Sequence, residues 1–165
     1  MSDLNRLTEM VVERAGGLVL YARQWLDAAS AEDVVQEALT ALLMERREPD
    51  NPIAWMYRAV HNSAIDSARS ASRRRRREQT VALMRREWFE SSADSALDAQ
   101  VAEAALRQLP DEYRQIVVMR IWGELGLAQI AEIMQLSITT VRERYISALA
   151  QLRSALENPC RNKMD

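Results

Sequence analysis

Cysteine occurs once in this chain, at Cys160, so no internal disulfide can brace the fold, and a reducing compartment is the matching expectation. Histidine also occurs once, at His61, with no second ligand at a useful spacing. It reads as a helix-surface or partly buried side chain, neither a metal ligand nor a catalyst. Only 4 glycines are present and they form no phosphate-cradling loop. With no metal cluster and no nucleophile–base pair arguable from spacing, neither enzymatic activity nor a cofactor is expected. No stretch approaches the ~18 uninterrupted apolar residues of a membrane helix. Residues 1–17, MSDLNRLTEMVVERAGG, carry acids among their apolar positions and do not resemble a secretory leader. A soluble, cytoplasmic protein is the expectation.

What is present favours helix. The 165 residues suffice for one ordinary domain or two small helical ones, and a hydrophobic content of 48% supports real cores. Alanine, leucine, glutamate, glutamine and arginine are in continuous supply, and β-branched residues form no alternating runs between turn signals. The fold class is therefore all-α. Net charge is only −2, but it is unevenly spread. Arg69, Arg73, Arg74, Arg75, Arg76, Arg77, Arg85 and Arg86 crowd one short segment, while acids dominate elsewhere (Glu32, Asp33, Glu37, Asp94, Asp98, Glu103). A local positive patch on an acidic protein suits focused phosphate contact. The same run serves equally as a solvated charged linker.

Along the chain, Leu7, Met10, Val11, Leu18, Tyr21, Ala22 and Trp25 predict one or two helices, with a kink at Gly16-Gly17. Ser30, followed by Asp33 three residues on, marks the start of the next helix, which continues through Val34, Val35, Ala38, Leu39, Leu42 and Leu43. Pro49 and Pro52 interrupt it, and another helix runs from Pro52 to Arg69 or beyond. A polar stretch around WFESSADS reads as a join. A second helical set follows, broken at Leu109-Pro110 and at residues 123–126. Pro110 suits the first turn of a helix reaching Trp122. No internal repeat is found.

Residues 127–153, LAQIAEIMQLSITTVRERYISALAQLR, read as a helix-turn-helix. Leu127, Ile130, Ala131 and Met134 mark one face of a short first helix. Gln135 occupies the turn where a left-handed backbone is often needed and glycine is favoured. Ser137 is placed to cap the second helix, whose Val141, Tyr145, Ala148, Leu149, Leu152 and Leu156 are expected to face inward. Thr139, Arg142, Glu143 and Ile146 then lie on the opposite face, where a recognition helix meets base edges. Helical hairpins that never meet DNA share this pattern.

Three separated blocks point one way: AEDVVQEALTALL (31–43), NPIAWMYRAVHNSAIDSARSASRRRRR (51–77) and LPDEYRQIVVMRIWGELGLAQIAEIMQLSITTVRERYISALAQLR (109–153). In order and spacing they resemble the extracytoplasmic-function (ECF) subfamily of bacterial RNA polymerase sigma factors, which retain regions 2 and 4 of the sigma family. The resemblance implies a region 2-like module (1–77), a flexible linker (78–95), a region 4-like helix-turn-helix module (96–157) and a short tail (158–165).

Asp33, Gln36 and Glu37 share one helix face by spacing; the resemblance makes that face the dock for the β′ clamp helices of core polymerase, with the β flap a second contact. Trp55, Arg58, Asn62, Asp66 and Arg69 line the polar side of the next helix, opposite Ile53, Tyr57, Val60, Ala64 and Ala68. Aromatic, amide and guanidinium groups so placed can stack on unpaired bases and hold phosphates. The resemblance assigns this helix, with the loop before it, to the −10 element, through Arg47, Asn51, Trp55, Arg58, Asn62, Asp66, Arg69 and Arg73. Trp55 and Tyr57 also fit as core aromatics, Tyr57 especially.

For the −35 element it implies Ser137, Thr139, Thr140, Arg142, Glu143 and Arg144, with Arg142 a base-edge reader and Arg144 a phosphate anchor. Glu143 departs from the family's usual small polar residue and Gln135 from its turn glycine, which bears on promoter sequence and DNA affinity. Promoter DNA, core polymerase and an anti-sigma factor are the partners implied. Two alternatives use the same segments: a sigma-like protein-interaction module acting as an anti-sigma decoy or partner switch, and a stand-alone helix-turn-helix regulator. The second leaves the first two blocks without a task.

Overall fold

A computed structural model describes residues 3–78 and 96–157 and, within them, the side chains of residues 4–73 and 101–157. The proposed linker 79–95 with Arg85 and Arg86, the tail with Cys160, and the side chains of Arg74, Arg75, Arg76 and Arg77 lie outside that set. The described residues form seven helices and no strand: α1 (Asp3–Ala22), α2 (Ala28–Leu43), α3 (Pro52–Glu78), α4 (Ala96–Gln108), α5 (Asp111–Ile121), α6 (Leu127–Met134) and α7 (Ile138–Glu157). The all-α expectation holds.

Helices α1, α2 and α3 pack on one another, and α5, α6 and α7 do the same, with α4 against α7. The first core takes Leu7, Val11, Leu18 and Tyr21 from α1, Val34, Val35, Ala38 and Leu42 from α2, and Ile53, Met56, Tyr57, Val60 and Ala64 from α3. These repeat at three- and four-residue intervals, so each helix turns one apolar stripe inward. Full burial of a Val, Leu or Met side chain contributes about 1.5–3 kcal/mol. The second core gathers Ile116, Val117, Val118, Met119, Leu125, Ile130, Ile133, Val141 and Ala148.

Three local expectations are corrected. Helix α1 does not kink at Gly16-Gly17; it runs unbroken to Ala22, and Gly17 is needed for close approach instead. A Cβ there would lie 2.8 Å from both Trp122 Cβ and the Tyr57 hydroxyl. Helix α2 starts before Ser30, because the Asp27 carboxylate accepts the Ser30 N–H at 2.8 Å and caps the helix, a contact worth about 1 kcal/mol. Leu149 and Leu156 do not face inward on α7; they are 39% and 49% exposed. At 3.6 residues per turn each lies one step round from the buried meridian of Val141 and Ala148.

The polar member of the first core is His61. The Tyr21 hydroxyl lies 2.7 Å from His61 Nδ1, with Trp25 edge-on to the imidazole at 5.8 Å between centroids. Burial lowers the His61 pKa below its ordinary value, so the neutral ring accepts the tyrosine proton. A depressed folded-state pKa means that the unfolded chain binds the proton first, and stability falls as pH drops below about 6.5. Thermal melts between pH 7.5 and 5.5 should show that fall in the native chain and a flatter profile in His61→Gln.

Candidate nucleic-acid interface

The helix-turn-helix is built from α6 and α7. Gly126 precedes α6, and its N–H donates to Gln129 Oε1 at 2.9 Å. The first helix ends at Gln135, which adopts φ 56° and ψ 43°; the left-handed turn predicted from sequence is present without glycine. The Leu136 N–H then reaches back to the Ala131 carbonyl at 2.9 Å, and Ser137 Oγ accepts the Thr140 N–H at 3.1 Å, capping α7. Thr139, Arg142 and Glu143 are exposed on the first turns of α7, with Ile138 and Ile146 as apolar flanks. Thr140 is half-buried and its hydroxyl pairs with Ser137 Oγ. Arg144 is largely covered and ion-paired to Glu112 of α5, so its guanidinium is held by the module that supports it.

On α3, Asn62, Asp66, Arg69 and Arg73 are exposed, and their spacing lays them along one side of the helix. Trp55, at the start of that side, is half-buried against the core. Tyr57 is fully buried, the core placement favoured from sequence. Asn51 is occupied as a cap: its Oδ1 accepts the Ala54 N–H at 2.9 Å and its carbonyl the Trp55 N–H at 3.0 Å. Arg47 is exposed in the preceding loop, which is tied to α1 by Arg6 and Glu48 at 3.2 Å. Asp33, Gln36 and Glu37 are exposed together on α2.

Arg58 differs from its neighbours. Its guanidinium lies 3.3 Å from Glu132 on α6, so the helix-turn-helix covers the beginning of the polar side of α3. Around this pair α1 meets α5 and α3 meets α6. Arg14 of α1 donates to Glu124 at 2.8 Å, which holds that carboxylate below its ordinary pKa, and Arg114 Nε donates to Gln24 Oε1 at 3.3 Å. Tyr57 sits between Gly17 and Gly123; a Cβ on Gly123 would lie 2.8 Å from its ring. Its hydroxyl is buried without a hydrogen-bond partner. Trp122, Glu124 and Glu132 were not singled out from sequence, because their partners lie far away along the chain and no periodicity marks such contacts.

This arrangement defines a two-module helical protein with a duplex-reading helix and a separate polar helix face. Sigma-70 region 2 matches residues 11–74 and sigma-70 region 4 matches residues 99–152. The chain is 33% identical over 155 residues to the ECF RNA polymerase sigma factor SigL of Mycobacterium tuberculosis, covering 88% of this chain and 85% of that protein. It is 30% identical over 130 residues to the RNA polymerase sigma factor SigV of Bacillus subtilis, covering 76% and 75%. Among solved structures, the sigma factor RpoE in complex with the anti-sigma factor NepR from Bartonella quintana shares the fold, with TM-score 0.74, 19% identity, and coverage of 91% and 96%. CnrH in complex with the cytosolic domain of CnrY gives TM-score 0.62 and 21% identity, over 94% and 90%. The chain belongs to the ECF RNA polymerase sigma factors.

The turn gives a direct test. A non-glycine residue in the left-handed region costs about 1–2 kcal/mol. Gln135→Gly should stabilise the second module by about 0.5–1 kcal/mol after glycine's unfolded-state entropy is subtracted. Gln135→Val, β-branched at positive φ, should destabilise it. Denaturant titration of the two variants measures both.

Proposed function

We propose that this chain docks core RNA polymerase through the exposed α2 face of Asp33, Gln36 and Glu37 and directs transcription initiation in the cytoplasm. On this reading α3 captures the opened −10 strand with Trp55, Arg58, Asn62, Asp66, Arg69 and Arg73, aided by Arg47 and Asn51 of the loop before it. Strand capture needs stacking surfaces and cations side by side on one rigid element, and α3 supplies both. Helix α7 reads the −35 duplex: Arg142 addresses a base edge, Thr139 and the capped N-terminus address phosphate, and Glu143 accepts from a cytosine amine. Arg144 reaches phosphate by exchanging Glu112 for it. The observation that carries the reading is the exposure of Thr139, Arg142 and Glu143 at the N-terminus of the second helix of a properly capped helix-turn-helix, in a chain that matches both sigma regions in order.

A sigma factor performs no covalent chemistry; binding energy alone selects the promoter and traps the separated strand. Residues 78–95 serve as the linker between modules 1–77 and 96–157, so that two modest affinities combine through effective concentration, with 158–165 a tail. The β′ clamp helices, the β flap and an anti-sigma factor are the protein partners. Support for the last comes from the two solved relatives, each determined with its anti-sigma partner.

Run-off transcription with bacterial core polymerase on genomic promoter fragments, including the region upstream of this protein's own gene, tests the reading. Discrete start sites should appear with the native chain and vanish with Asp33→Ala/Gln36→Ala, whose exposed positions leave the fold intact. No transcripts alongside binding to an anti-sigma protein would instead support the decoy. Arg142→Ala should weaken −35 duplex binding by about 1–3 kcal/mol and relax selectivity at one base pair, as measured by fluorescence anisotropy against a set of single-base variants.

A further inference from the structure

We infer that the free chain latches itself in a form that cannot span a promoter, through a contact between α1–α3 and the α5–α6 turn. The inference rests on the sigma-factor reading. Elements centred near −10 and −35 are ~25 base pairs apart, or ~85 Å along B-form DNA. In this structure the helices assigned to them are neighbours: α3 touches α6, and Arg58 lies 3.3 Å from Glu132. The two elements cannot be engaged together until this contact parts.

The contact has the chemistry of a latch. Its apolar half is Trp122 seated on Gly17, and Tyr57 between Gly17 and Gly123, where added Cβ atoms would lie 2.8 Å from the facing side chains. Larger residues at either glycine would prevent closure. Its ionic half is Arg14–Glu124 at 2.8 Å and Arg58–Glu132. The acids come from the module that reads duplex, the arginines from the module assigned to polymerase and the −10 strand.

The same contact is built to open. Glu124 and Glu132 are 68% and 72% exposed, so each pair shifts the closing equilibrium by no more than a few-fold. Closure leaves the Tyr57 hydroxyl and Gln24 Nε2 buried without partners, which opposes it. A cleft of about 570 Å³ runs beside the contact, lined by Glu13, Gly16, Arg23, Glu32 and Trp122 among others, so the seam is not close-packed. Arg58, bound to Glu132, is withheld from the strand it is assigned to hold.

Small-angle X-ray scattering on the free, full chain tests this. The native protein should have a radius of gyration near the ~15 Å of a compact chain of this length. Trp122→Ala/Glu124→Arg, which strikes both halves of the latch outside the assigned DNA and polymerase contacts, should be clearly larger. Glu124→Arg alone should expand the chain in part, and Arg14→Glu/Glu124→Arg, which restores the pair in reverse, should return it to native size. In run-off transcription the opened variant should reach half-maximal transcript at several-fold lower concentration, because none of its population is held in the closed form. An extended native chain, or an opened variant no larger than native, overturns the latch. Expansion of the variant with no transcripts from any version keeps the latch and removes the sigma-factor reading.

Discussion

The packing of Tyr57 organises both halves of this molecule. Its ring meets Tyr21 edge-on at 5.3 Å, inside the three-helix core. Its far edge reaches the place where Gly123 of the second module has no side chain. One aromatic residue is thus shared between a core that must be permanent and a contact that need not be. Burial raises the Tyr57 pKa well above its ordinary value, so the hydroxyl stays neutral. It is nevertheless a buried polar group without a partner, which costs about 1–3 kcal/mol relative to a satisfied one. The core side of the ring is stabilised by dense packing, while the module side carries that penalty.

Much of the architecture follows from periodicity. The α3 stripe of Ile53, Tyr57, Val60 and Ala64 is buried as its spacing requires, and the left-handed turn at Gln135 occurs where the helix-turn-helix pattern needs it. Such features depend on residues within a turn or two of each other. Where two local signals compete, periodicity is insufficient: Asp27 and Ser30 are both good caps, and Asp27 captures the Ser30 N–H. It is also insufficient for distance. Gly17 looks like a helix breaker when read locally, whereas its role is set by Trp122, more than a hundred residues away.

The assigned DNA residues show the same division. Arg142, Thr139 and Glu143 are exposed as a reading helix requires, because their position on α7 is fixed by the helix and its cap. The reach of an arginine is not fixed in that way. Arg144 and Arg58 each find a carboxylate, Glu112 and Glu132, in a neighbouring helix. In an acidic protein, arginines outside the run at 73–77 have many internal competitors for phosphate. Binding DNA then exchanges one ion pair for another, which lowers the net gain per contact and sharpens dependence on correct geometry.

This accounting bears on the order of events in initiation. The α2 face of Asp33, Gln36 and Glu37 is exposed while the modules are closed, so polymerase can engage it first. The beginning of the α3 side is covered at Arg58, and full strand capture must follow separation of the modules. A closed form held by two exposed ion pairs and one imperfect aromatic seat lies only a small free energy below the open one. Polymerase binding that favours the open form by a comparable amount is enough to shift the population. The protein would then avoid spending its DNA affinity on promoters in the absence of polymerase, because the contact that hides Arg58 yields to a partner that docks elsewhere.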